Sequence, residues 1–202
     1  MTDLQSWVAP TYTGLADLLE GAPPATWGAP SLCDGWQVRH VVAHVTMPVR
    51  LTPARFGAEM AAAGGDFAVL SETVARRDAS LPVDELLDQL RAPELHAWQP
   101  PQGGATGALD HAVVHGLDVT LALGRAAAAP AEAVTAVLDE LTAAHGRVFG
   151  IDLTGVRLEA SDSTWSWGDG RPVRADSGSL VALLAGRTLP NGRSLPRVDA
   201  RG

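Results

Sequence analysis

The chain has 202 residues, enough for one domain with a real core or a main domain with a small appendage, and too few for two full-sized domains. With 46% hydrophobic and 19% charged residues it is a folding sequence, and a formal net charge of −8 with no basic run argues against nucleic acid or an anionic membrane surface as partner. The single cysteine, Cys33, excludes an internal disulfide framework and a cysteine-based zinc cluster, and fits a reducing compartment.

The opening MTDLQSWVAP has Asp3 where a signal peptide would carry basic residues, and no apolar run reaches the roughly 18 residues of a membrane span, so a cytoplasmic protein is expected. Residues 4–20 set Trp7, Leu15, Leu18 and Leu19 at helical spacing, and GAPPATWGAPS breaks that pattern. After SLCDGW, a second helix is predicted from Val38, Val41, Val42 and Val45, with Ser31 or Asp34 as its cap. Region 51–92, punctuated by Pro53, Gly64, Gly65 and Pro82, reads as two or three shorter helices. A long helix follows over about 106–124, and Pro130, at a first-turn position, opens another to about 148. From about 151 the texture changes to period two: VRLEAS, TWSWGDG and RPVRA read as strands, the last two joined by a hairpin at GDG, before DSGSLVALLAGR returns to helix.

The long helix raises a chemical question, because LDHAVVHGLD sets His111 and His115 four residues apart in an otherwise mostly aliphatic run. On a wheel of about 100° per residue, His111, His115 and Asp118 fall within a sector of roughly 60°. Buried imidazoles need partners for both ring nitrogens, at a cost of about 1–3 kcal/mol for each one unmet. The i, i+4 spacing lets two rings converge on one ion, although a structural pair satisfies it equally. HVVAH in the second helix repeats the spacing. There His44 lies at the edge of the apolar face and His40 further toward the polar side, so His44, His111 and His115 are the three that would meet between packed helices. Three neutral imidazoles with an open position suit a catalytic divalent metal, zinc first, then nickel or iron. Asp118 would hold a ligand's other ring nitrogen, and His40 is counted with it around the ligands. His96 and His145 lack partners at ligand spacing and read as structural, as does Cys33, which has no base beside it in sequence.

WGAPSLCDGWQVRHVVAHV resembles the N-terminal signature of the DinB-like, mycothiol-dependent maleylpyruvate isomerase family, a loop followed by a helix that delivers a metal-binding histidine. VVHGLDVTLALG is similar to the second signature, which supplies the last ligand, and STWSWGDG, RPVRA and LVALLAGR resemble the small C-terminal domain. The resemblance implies a mainly α protein, a DinB-like four-helix bundle over 1–150 with a small β-β-β-α appendage over 151–202. It carries the metal ligands onto His44, His111 and His115. Three positions depart from the isomerase branch: His111 stands where glutamate is typical, His40 where an acidic residue is usual, and Leu117 where tryptophan is usual. The implied cofactors are a divalent metal and mycothiol, whose metal-bound thiolate would attack an electrophile or add reversibly to the cis double bond of an unsaturated acid. Arg187 and Arg174 are candidates to grip a substrate or cofactor carboxylate. Two other readings stay open, a non-catalytic metal- or ligand-binding module on the same scaffold and a metal-free structural cluster. A homodimer is the default assembly for a soluble protein of this kind.

Overall fold

The computed structural model describes residues 3–198. Asp3 caps a short 3-10 turn at Leu4–Trp7, which continues into α1 (Val8–Leu19). The proline-rich break holds one helical turn, α2 (Pro24–Trp27), before α3 (Val38–Val45). Neither Ser31 nor Asp34 caps α3. Its N-cap is Gln37, whose backbone N–H donates to the ring of His40 in a reciprocal cap at 3.0 Å. α3 stays short because Pro48 lacks the N–H that would bond the His44 carbonyl, and the chain restarts as α4 (Met47–Arg50).

Region 51–92 yields three helices, α5 (Pro53–Ala62), α6 (Phe67–Asp78) and α7 (Val83–Leu90), then α8 (Pro93–Ala97), opened by its own proline. The long helix is α9 (Gly104–Thr120), followed by α10 (Ala131–Ala143), for which Pro130 serves as N-cap, so that the helix begins one residue later than expected. α9 is the central element, packed on α1, α3 and α10. Its Ala108, Leu109, Ala112, Val113, Leu117 and Val119 are buried, at roughly 1.5–3 kcal/mol for each large aliphatic side chain. Behind α3, Arg50 donates to Asp78 of α6 at 2.9 Å and to Thr46 at 2.7 Å, and also reaches Gln89 of α7. Through these bonds Arg50 joins α4, α6 and α7, all of which pack on α3.

The three predicted strands form as β1 (Val156–Ala160), β2 (Ser166–Trp167) and β3 (Arg171–Ala175), but the hairpin at GDG does not. The sheet order is β2-β1-β3, with β1 antiparallel to β2 and parallel to β3. The turn lies instead between β1 and β2, and GDG carries the chain past the start of β1 to its other edge. Only glycine allows that passage: Gly170 has φ +140°, and a Cβ there would sit 2.2 Å from the Gly155 carbonyl oxygen. Last comes α11 (Ser177–Leu184), capped by Asp176 through the Ser179 N–H at 2.9 Å and packed on α9 and α10. Its Leu180, Val181, Leu183 and Leu184 belong to the same core cluster as Val8, Tyr12 and Leu117, so the core crosses residue 150 without a break. Gly170→Ala should therefore cost at least about 2 kcal/mol in urea-induced unfolding. An unchanged midpoint would show that the crossover is free to relax.

Candidate metal centre

SLCDGW forms a tight loop. Ser31 and Trp36 close it through the Ser31 N–H and hydroxyl, both donating to the Trp36 carbonyl at 2.9 Å, and Gly35 supplies the left-handed turn at φ +73°. The Leu32 N–H donates to the Asp118 carbonyl of α9 at 3.0 Å, which pins the loop over that helix. Trp36 is thereby set against His44, with ring centroids 5.3 Å apart, and Cys33 is set over the Asp118 side chain.

α3 and α9 bring His44, His111 and His115 together. Their ring centroids are 4.7–5.1 Å apart, and one ring nitrogen from each lies within 4.8 Å of the others. Each Nδ1 has a partner from a different part of the molecule. For His44 it is the Ser71 hydroxyl of α6 at 3.0 Å, for His111 the Tyr12 hydroxyl of α1 at 2.9 Å, and for His115 the Asp118 carboxylate at 2.9 Å. In the tautomer in which Nδ1–H donates to these oxygens, each ring keeps its Nε2 lone pair for the centre. The Nε2 atoms of His44 and His111 are 3.2 Å apart. Burial above all holds both rings well below the ordinary histidine range, so they are neutral and able to donate a lone pair at neutral pH.

Asp118 is fully buried. Burial alone would raise its pKa, but hydrogen bonds from His115 and Arg187, together with the Arg187 charge, win and hold it well below the usual carboxylate range. Arg187, in the turn after α11, grips it with both sides of its guanidinium, Nε to Oδ1 at 2.7 Å and Nη2 to Oδ2 at 2.9 Å. The Cys33 thiol donates to the same Oδ2 at 3.0 Å. A second donor group, Cys33, His115 and Asp118, shares His115 with the first. It is the poorer set for a metal, since Arg187 already engages both Asp118 oxygens, and burial and then the Asp118 charge push the thiol up, away from thiolate.

Three expectations change. Arg187 does not face outward to hold a substrate anion, because its fork is spent on Asp118. Arg174 is an exposed strand residue paired with Glu159, and makes no contact with the histidines. The His40 ring is taken up in capping α3, so it is no outer member of the cluster. His96 and His145 bond the carbonyls of Leu90 and Ala143, at 2.8 and 3.0 Å. Sequence reasoning missed Tyr12, Ser71 and Cys33 as outer partners. Tyr12 and Ser71 carry no spacing signal, since they reach the site from distant helices, whereas Cys33 could have been suspected from its place in SLCDGW.

Asp118→Asn should destabilise the protein by about 3 kcal/mol at pH 7, because Arg187 is left without its counter-charge. A carboxylate whose pKa is depressed on folding adds stability above its unfolded value, near about 3.9, and loses it as pH falls through the folded value. The gap between the variant and the parent protein should therefore narrow in acid. Urea unfolding at pH 7 and pH 3 checks this, and a gap that widened in acid would contradict it.

The sequence profile of the mycothiol maleylpyruvate isomerase N-terminal domain matches residues 8–99, a span that includes His44 and ends before His111 and His115. Two crystal structures of the mycothiol-dependent maleylpyruvate isomerase are similar in fold. One, of a histidine-to-alanine mutant, gives a TM-score of 0.58 at 16% identity, and the other 0.55 at 18%; both alignments cover 96% of this chain and 94% of the other. No curated protein matches in sequence. Over residues 8–99, then, the chain is similar in sequence to the mycothiol maleylpyruvate isomerase N-terminal domain, and over nearly its whole length it shares the fold of that enzyme.

Proposed function

We propose that the protein is a metal- and thiol-dependent enzyme, an S-transferase or cis–trans isomerase acting on a small molecule, with mycothiol as its thiol and the cytoplasm as its compartment. One observation carries the reading. Three imidazoles from two helices bring one ring nitrogen each within 4.8 Å of the others, the Nε2 atoms of His44 and His111 lying 3.2 Å apart, while each Nδ1 is engaged by an outer oxygen. That donor set fits a divalent ion, zinc above all: three neutral nitrogens, room for a further ligand, and outer hydrogen bonds that fix each tautomer. His44, His111 and His115 would hold it. When bound, such an ion supplies the positive charge that favours the deprotonated form of a thiol at its open position.

The chain's own residues do the rest. Ser71, Tyr12 and Asp118 each hold a proton on the far side of a ligand ring, which keeps the near nitrogen basic. Arg187 balances Asp118, so the centre carries no net protein charge and an ion there keeps its full electrostatic effect. Trp36 and Trp98 pack on His44 and His111, at ring centroid distances of 5.3 and 5.4 Å, and limit water at two sides. In this division of labour residues 1–150 form the histidine bundle, and residues 151–202 contribute the arginine that neutralises its buried carboxylate.

Purified protein should contain about one equivalent of divalent metal per chain by elemental analysis, and His115→Ala should lose most of it. Full occupancy in that variant would remove the site as described. Binding of mycothiol to the metal-loaded protein, read by calorimetry, separates the enzyme from a non-catalytic module. Metal without thiol affinity would favour the module.

A further inference from the structure

The histidine centre has a neighbour of contrasting character. A cavity of about 550 Å³ reaches it at His111 and is walled by Met47, Leu51, Phe56, Phe67 and Trp98, with prolines from α4, α5 and the loop before α9. That volume suits a small organic ligand. Its deeper wall rests on a satellite apolar cluster in which Met47 and Leu51 pack with Leu70 and Val74, with Phe56 against them. Trp98 both lines the cavity and packs on His111, so cavity and centre share a wall.

Among the described residues that line it there is no arginine, aspartate or glutamate, and the polar side-chain groups are the His111 ring, the Trp98 indole N–H and the Gln99 amide. The cations of this region are committed elsewhere, Arg187 to Asp118 and Arg50 to Asp78. A carboxylate entering the cavity would shed water and meet no charged side chain on its walls, whereas an aryl or alkyl group would gain by burial. At the rim, Phe67 is 51% exposed, an apolar side chain held toward solvent where a ligand would cover it.

We propose that this cavity is the site for the non-thiol substrate, and that the part of that substrate it holds is uncharged and apolar, an aromatic ring or alkyl chain of a neutral electrophile rather than an unsaturated acid. The inference rests on the metal-and-thiol reading for its chemistry but on the cavity alone for its ligand class. Gln99 offers an amide able to orient a single carbonyl or hydroxyl on such a molecule, and His111 marks the end nearest the reacting centre.

The test is fluorescence titration of the full chain with the neutral apolar probe N-phenyl-1-naphthylamine, with maleate as competitor. Elemental analysis is run on the same samples. Saturable binding of one probe per chain is expected, weakened at least about tenfold by Phe67→Glu and less than about threefold by Phe67→Leu, with no displacement by maleate. Because Phe67 is exposed, both variants should keep the parent circular dichroism spectrum. The assignment is overturned if maleate displaces the probe at comparable concentration, if the probe does not bind folded protein, or if folded Phe67→Glu binds as well as the parent. Probe binding that survives in protein shown to take up no metal would overturn the metal reading while upholding the cavity's ligand class.

Discussion

A carboxylate with no access to water organises this protein. Asp118 lies inside the bundle, where an unpaired charge would cost several kcal/mol, and it is stable only because donors reach it from three separate places. They are the guanidinium of Arg187 from beyond α11, the thiol of Cys33 from the SLCDGW loop and the ring of His115 one turn back on α9. The N-terminal loop, the central helix and the C-terminal segment are thereby made to agree on one geometry. His115 is oriented as a by-product of satisfying a charge.

The same logic extends around the cluster. A histidine free at both nitrogens could rotate or hold its proton on the wrong side, and the Tyr12 and Ser71 hydroxyls remove that freedom for His111 and His44. Each ligand ring is fixed by a residue from a different helix, so the centre depends on the packing of the whole bundle more than on any one motif. The tail takes part directly, since α11 shares the core with α1 and α9 and carries the chain to Arg187.

Much of the helical frame was legible because its signals are local. Apolar residues at helical spacing mark α1, α3 and α9, and the i, i+4 histidines with Asp118 share one face of α9, which periodicity alone reveals. What could not be read were contacts made across the fold. Arg187 looked like a free cation because nothing in sequence places it beside Asp118, 69 residues away. GDG matched a hairpin signal, yet its glycines serve a crossing beneath β1, a choice set by which edge of β1 remains free for β3. His40 shares the spacing of a ligand pair with His44, but at the third residue of α3 its ring is claimed by the cap. Spacing identifies faces, and tertiary packing decides which residues on a face are used.

The central claim is that imidazoles, and not the neighbouring thiol and carboxylate, form the metal's donor set. X-ray absorption at the metal edge of zinc-loaded protein without added thiol tests it most directly. Nitrogen scatterers from three imidazoles at about 2.0–2.1 Å and no sulfur are predicted. A sulfur scatterer near about 2.3 Å would place Cys33 on the metal and contradict the account.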